Sequence, residues 1–257
     1  MAKIGETLLD AAFFKRALLK WARIARRARS TDLSTLRYHR LRARQLKAHL
    51  DQLIHVADER LALPVENSAS FPKPHNSDWA WRPHLWRGPL PKPGIAAAPS
   101  RAMLGDEIAL FHDCQLTELT LRQLRNIREA DLAPYGLRLD VFRFDGSFLS
   151  LVVDLPEDAV NGLKRTHLIR MDMIVELEKE IEIFARLNIK NGPNTEQIVR
   201  ELNLSQDRTI VEFDLAYADF NEVRVESAWV DLIFEGPEMN QIVLRDLTFS
   251  RRPRAQI

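Results

Sequence analysis

The chain has 257 residues, 46% hydrophobic and 28% charged, with 37 Lys/Arg against 36 Asp/Glu and one cysteine, Cys114. This places it among soluble globular proteins and excludes an internal disulfide framework and a thiolate metal cluster; no apolar run approaches the roughly 18 residues of a spanning helix. The near-neutral total conceals a split: residues 1–64 hold 14 Lys/Arg against 6 Asp/Glu, and residues 131–250 hold 12 against 23. The first stretch is therefore about +8 and the second about −11.

Residues 1–64 read as a basic αα-hairpin. Phe14, Leu18, Trp21 and Ala25 recur at helical spacing, and Arg16, Lys20, Arg23 and Arg27 repeat that spacing on the opposite face. Ser30, Thr31 and Asp32 are capping residues that end one helix and begin the next. The second stripe is Leu36, Ala43, Leu46, Leu50, Leu53 and Ala57, with Arg37, Arg40, Arg44 and Lys47 beside it. Lys15, Arg16 and Lys20 interrupt the apolar stretch of the N-terminus, which does not match a signal peptide. Two readings stand side by side. In one, the stripes pack on each other or on the rest of the chain and the cations are solvated; in the other, the cations meet an anionic partner. That partner is a membrane surface, a nucleic acid or an acidic protein.

Residues 65–104 form a proline-rich arm, with Pro72, Pro74, Pro83, Pro89, Pro91, Pro93 and Pro99. Proline fixes φ and removes a donor, so neither a helix nor a central strand is expected there. Trp79, Trp81 and Trp86 crowd its middle. The expectation is a strap docked on the body through its indoles, the alternative an exposed stacking platform for sugars or bases.

From residue 105 to 257 the pattern has period two. Candidate strands are 107–111, 117–124, 137–144, 147–153, 169–177, 181–188, 211–217, 228–234 and 241–250. Asp145-Gly146 predicts a two-residue hairpin between 137–144 and 147–153. Regular strands without intervening helices predict an α+β, mainly β chain: an antiparallel jelly-roll β-sandwich behind the basic hairpin.

The stretches DWAWRPHLWRGPL (78–90), LFHDC (110–114), GLRLDVFRFDGSFLSLVVDLP (136–156) and WVDLIFEGPEMNQIVLRDLTFSRRPRA (229–255) resemble a bacterial domain family of unknown function found in photosynthetic and marine alphaproteobacteria. The resemblance implies a cytoplasmic bacterial protein and carries no catalytic residues; by fold analogy the body looks like jelly-roll modules that bind carbohydrate.

Candidate chemistry is sparse. His112 and Cys114 share a strand face and suggest a Cys-His pair, against the ordinary reading of a structural thiol. The histidines lack metal-ligand spacing, so no metal site is assigned. Trp229 and Asp231 share one face; with Glu212 and Asp214, if those strands are neighbours, they form an aromatic plate beside carboxylates, suited to a sugar and equally to Ca²⁺. Against this stands the plainer reading that Trp229 faces the core or the Trp arm and the carboxylates only solubilise the sheet. The expectation is a non-enzymatic binding or scaffold protein, cytoplasmic or peripheral to the membrane. The β-body recognises a glycan or protein surface and the helices dock to an anionic partner. The alternatives are a carbohydrate-active enzyme or a structural subunit of an assembly.

Overall fold

A computed structural model describes residues 8–62, 71–128, 130–206 and 208–254. The chain divides into two compact units, Met1–Val56 and Ala57–Ile257.

The first unit contains α1 (Leu8–Arg27), a 3-10 turn (Ala28–Ser30) and most of α2 (Leu33–Ala62). The Thr31 hydroxyl donates to the carbonyl of Arg27, near the end of α1. Asp32 caps α2: its carboxylate accepts the Thr35 N–H at 2.9 Å and the Ser34 hydroxyl at 2.6 Å. Phe13, Phe14, Leu18, Leu41, Leu46, Leu50 and Leu53 are exposed. The two stripes are therefore not buried against each other as a packed hairpin would require. Both helices are basic, and pairing them would bring like charges together.

The second unit is an antiparallel β-sandwich. One sheet has seven strands in the order β11-β8-β13-β6-β5-β2, with β1 also paired to β13. These strands are β1 (Trp79–Trp81), β2 (Gly94–Ala96), β5 (Leu119–Arg125), β6 (Tyr135–Val141), β8 (His167–Leu177), β11 (Arg208–Asp214) and β13 (Asn240–Pro253). The other has six strands in the order β10-β9-β12-β7-β4-β3. They are β3 (Ala102–Leu104), β4 (Ile108–His112), β7 (Leu149–Asp154), β9 (Ile183–Asn191), β10 (Asn194–Glu201) and β12 (Val225–Phe234). Alternation supplies the core: Ile169, Met171 and Met173 of β8 meet Ala185, Leu187, Val230 and Leu232 in one buried cluster.

Asp145-Gly146 is not a hairpin. The strands it joins lie in different sheets, and Gly146 is not among the residues at positive φ. Its glycine answers a close approach instead: an added Cβ would lie 2.5 Å from Asp113 Oδ1 and 2.9 Å from Cys114 Sγ. A two-residue turn does join β9, expected at 181–188, to β10, which is absent from the expected strands; there Gly192 at φ 61° precedes Pro193.

The arm is ordered despite its prolines. It contributes three short strands, β1, β2 and β3, and the single-turn helix α3 (His84–Arg87). Trp86 is fully buried, and its indole N–H donates to the Leu244 carbonyl at 3.1 Å. Arg82, also buried, forms a two-pronged ion pair with Asp246 at 2.9 and 2.8 Å. A register shift in β13 between Leu244 and Asp246 changes the side-chain parity there.

Candidate functional site

The outer faces of the two sheets differ in chemistry. On the seven-stranded sheet, charges are consumed internally. Arg170 and Arg208 hold Asp172, Arg245 and Arg128 hold Glu176, and Arg138 with Thr120 holds Asp140. Burial raises Glu176, but the two guanidinium groups outweigh it and leave its pKa below the usual value.

Glu212 and Asp214 belong to this ion-paired face. Glu212 meets Arg252 at 3.2 Å; Asp214 accepts the Ala216 N–H at 3.0 Å and lies 3.5 Å from Arg254. They sit on β11, in the sheet opposite to the one that carries Trp229, so the expected four-residue cluster is not formed. Strand alternation correctly indicates which residues share a face of one strand. It carries no information about which sheet a strand joins.

Trp229 and Asp231 are brought together, on β12 at the centre of the six-stranded sheet. Cross-strand register builds the surface around them. Trp229 lies opposite Asn188 of β9 and Asp154 of β7; Asp231 lies opposite Arg186 and Val152. In the next row Ile233 faces Ser150, which in turn faces Phe111 of β4. Gln197 of β10 extends the first row beyond Asn188. These residues, with Phe148, line a groove of about 560 Å³, within the size range of small-ligand sites.

The polar groups of the groove are held in place. Asp231 Oδ2 accepts Arg186 Nε at 2.7 Å, Arg186 Nη2 at 2.6 Å and Asn188 Nδ2 at 3.0 Å. Gln197 donates to Asn188 Oδ1 at 3.0 Å. A fixed Gln–Asn–Asp–Arg chain therefore runs beside the indole, with little rotamer freedom left to lose on binding. Among the described residues, one buried polar atom of the groove lacks a partner. The Ser150 hydroxyl is buried with no hydrogen-bond partner. The Asp154 side chain is exposed at the rim, and partial desolvation, followed by the nearby charge of Asp231, raises its pKa above the usual carboxylate value.

Sequence reasoning singled out Trp229 and Asp231 and missed Asp154, Arg186, Asn188, Gln197, Phe111 and Phe148. The outward parity of Arg186 and Asn188 was readable along 181–188, but Gln197 lay on an unexpected strand and the adjacency of the set was not readable. Trp79, Trp81 and Trp86 do not line the groove. Trp86 is inaccessible to any ligand, while Trp79 and Trp81 stack on each other and pack half-buried against the core, with Trp81 against Phe249. Among the described residues no group of three or more His, Cys, Asp or Glu could hold a metal ion.

The His112–Cys114 pair is built as structure. His112 Nε2 is 2.9 Å from the Ala98 carbonyl, and Nδ1 accepts the Cys114 backbone N–H at 3.2 Å. Both ring nitrogens are engaged by backbone, and burial pushes the Cys114 thiol pKa up. Neither feature activates a nucleophile. A second cavity of about 610 Å³, lined by Glu176, Glu180, Ile181 and Leu204 among others, contains no aromatic side chain.

The model of a family of unknown function (DUF6478) matches residues 1–257. No curated protein matches the chain. Among solved structures, the chain is similar to a family 11 carbohydrate-binding module from Clostridium thermocellum in complex with a beta-1,3-1,4-mixed-linked tetrasaccharide. That match has 9% identity, covers 58% of this chain and 91% of the module, and has a TM-score of 0.39. It is also similar to TmCBM61 in complex with beta-1,4-galactotriose (14% identity, 57% and 88% coverage, TM-score 0.34). A third likeness is to the enzymatically active domain of bacteriophage CBA120 tailspike protein 4 (6% identity, TM-score 0.40), covering 60% of this chain but 21% of that one. These likenesses are distant, and the sandwich assignment rests on the strand pairing of this chain.

Proposed function

The chain belongs to that family of unknown function, and we propose that its β-sandwich is a non-catalytic glycan-binding module whose site is the groove of the six-stranded sheet. The observation that carries this reading is Trp229, half-exposed and flanked in register by Asp154 and Asn188, with the Asp231–Arg186 pair in the next row. A pyranose presents an apolar C–H face and a rim of hydroxyls, each both donor and acceptor. An indole takes the first; carboxylate, amide and guanidinium groups take the second.

The test is titration calorimetry of the full chain against a panel of neutral oligosaccharides. Saturable binding is expected, weakened about fivefold or more by Trp229→Ala, since removing an aromatic stacking contact costs on the order of 1–3 kcal/mol. Absence of binding across the panel, or full affinity in Trp229→Ala, rules the reading out.

One observation favours a second reading, a carbohydrate-active enzyme. The raised pKa of Asp154 beside a second carboxylate is the arrangement of a general acid next to a charged partner. Turnover of a bound oligosaccharide, abolished in both Asp154→Asn and Asp231→Asn, would replace the binding-only reading.

A further inference from the structure

We infer that α1 lies on an anionic lipid bilayer, its apolar face among the acyl chains and its cations at the headgroups. This goes beyond the glycan reading and uses none of its residues. Among the described residues no helix is long and apolar enough to cross a membrane, so the relation is one of lying on the surface.

At about 100° per residue, Phe13, Phe14, Ala17, Leu18, Trp21, Ile24 and Ala25 fall on one side of α1. Lys15, Arg16, Lys20, Arg23, Arg26 and Arg27 fall on the other, with Leu19 among them. Residues 13–27 contain no Asp or Glu. Phe13, Phe14 and Leu18 are 66%, 68% and 58% exposed, far more than core residues tolerate. Lys15, Arg16, Lys20, Arg23 and Arg27 make no ion pair among the described residues. A strongly basic face opposite an aromatic and leucine face is the composition of an interfacial helix.

Charge decides among the occupants of this face. A nucleic acid would neutralise the cations and leave Phe13, Phe14 and Leu18 in water. A second copy of α1 would bury the apolar side but bring two basic flanks together with no carboxylate to pair them. An anionic bilayer takes both faces at once: each cation near the surface contributes about 1 kcal/mol, and the aromatic side chains enter the acyl boundary.

The experiment is co-sedimentation of the full chain with vesicles of phosphatidylcholine alone or mixed with phosphatidylglycerol. Partitioning is expected onto the mixed vesicles, falling steeply with added salt. Each of Arg23→Gln and Arg27→Gln should reduce it about fivefold, and Phe14→Ala about tenfold or more, with the melting temperature of the β-sandwich unchanged in all three. Oligosaccharide binding should also persist in these variants, so that failure of one proposal is separable from failure of the other. The inference is overturned by lack of partitioning onto mixed vesicles, or by equal partitioning onto both vesicle types. It is equally overturned if Phe14 and Leu18 instead mediate concentration-dependent self-association or binding to an acidic protein or to duplex DNA.

Discussion

Two tryptophans of similar sequence prominence, Trp86 and Trp229, have different surroundings. Trp86 has its ring buried and its indole N–H on the Leu244 carbonyl, a packing residue of the arm. Trp229 is half-exposed in a groove between Asn188 and Asp154. Their substitutions should therefore separate. Trp86→Ala is expected to cost about 3–5 kcal/mol, the usual range for emptying a buried aromatic site, measured as a shifted urea midpoint. Trp229→Ala should leave that midpoint nearly unchanged while losing ligand. The distinction was partly legible, because three indoles in a proline-rich stretch argue for docking against something. That Trp229, the fifth residue of β12, shares a face with Asp231 was legible from alternation alone.

Among the elements, α2 shows how a local signal becomes a measurable one. The Asp32 carboxylate is lowered to about 2, first by the Ser34 hydroxyl and then by the Thr35 N–H. A folded-state pKa below the ordinary 3.8 means the cap stabilises the helix above that value. The contribution is lost as pH falls from about 4 towards 2. Acid titration followed by backbone NMR should show the first turn of α2 fraying in that window, and Asp32→Ala should show it frayed at neutral pH. Ser-Thr-Asp made this cap readable in advance. The opposite case is Asp145-Gly146, whose composition signals a hairpin although Val141 and Leu149 belong to different sheets. Asp113 accepts the Ser147 hydroxyl and N–H there, and Asp145 accepts the Gln115 and Leu116 N–H groups, so the local turn preference yields to a crossover between layers.

The whole sandwich is tied together by contacts between residues far apart in the chain. Arg82 and Asp246 are 164 positions apart and form a buried two-pronged pair. Asp246→Ala should destabilise by about 3–5 kcal/mol because it strands a buried guanidinium, whereas replacing both by hydrophobic residues should recover much of the loss. Urea unfolding of the single and double variants checks this; an equal loss in both would assign the cost to shape rather than charge. By itself the amino-acid sequence determined the periodicity and the inward and outward parity of the strands it marked, the N-terminal cap of α2, the basic helices and the indole-rich arm. These depend on neighbours in the chain, where spacing and side-chain chemistry suffice. Only the tertiary structure decided that Glu212 and Asp214 lie on the ion-paired sheet. It also decided that Asp154, Arg186, Asn188 and Gln197 surround Trp229 and Asp231, and that the arm supplies three short strands. Those outcomes follow from strand order and register, set by burying two whole sheets against each other, which no local window of residues encodes.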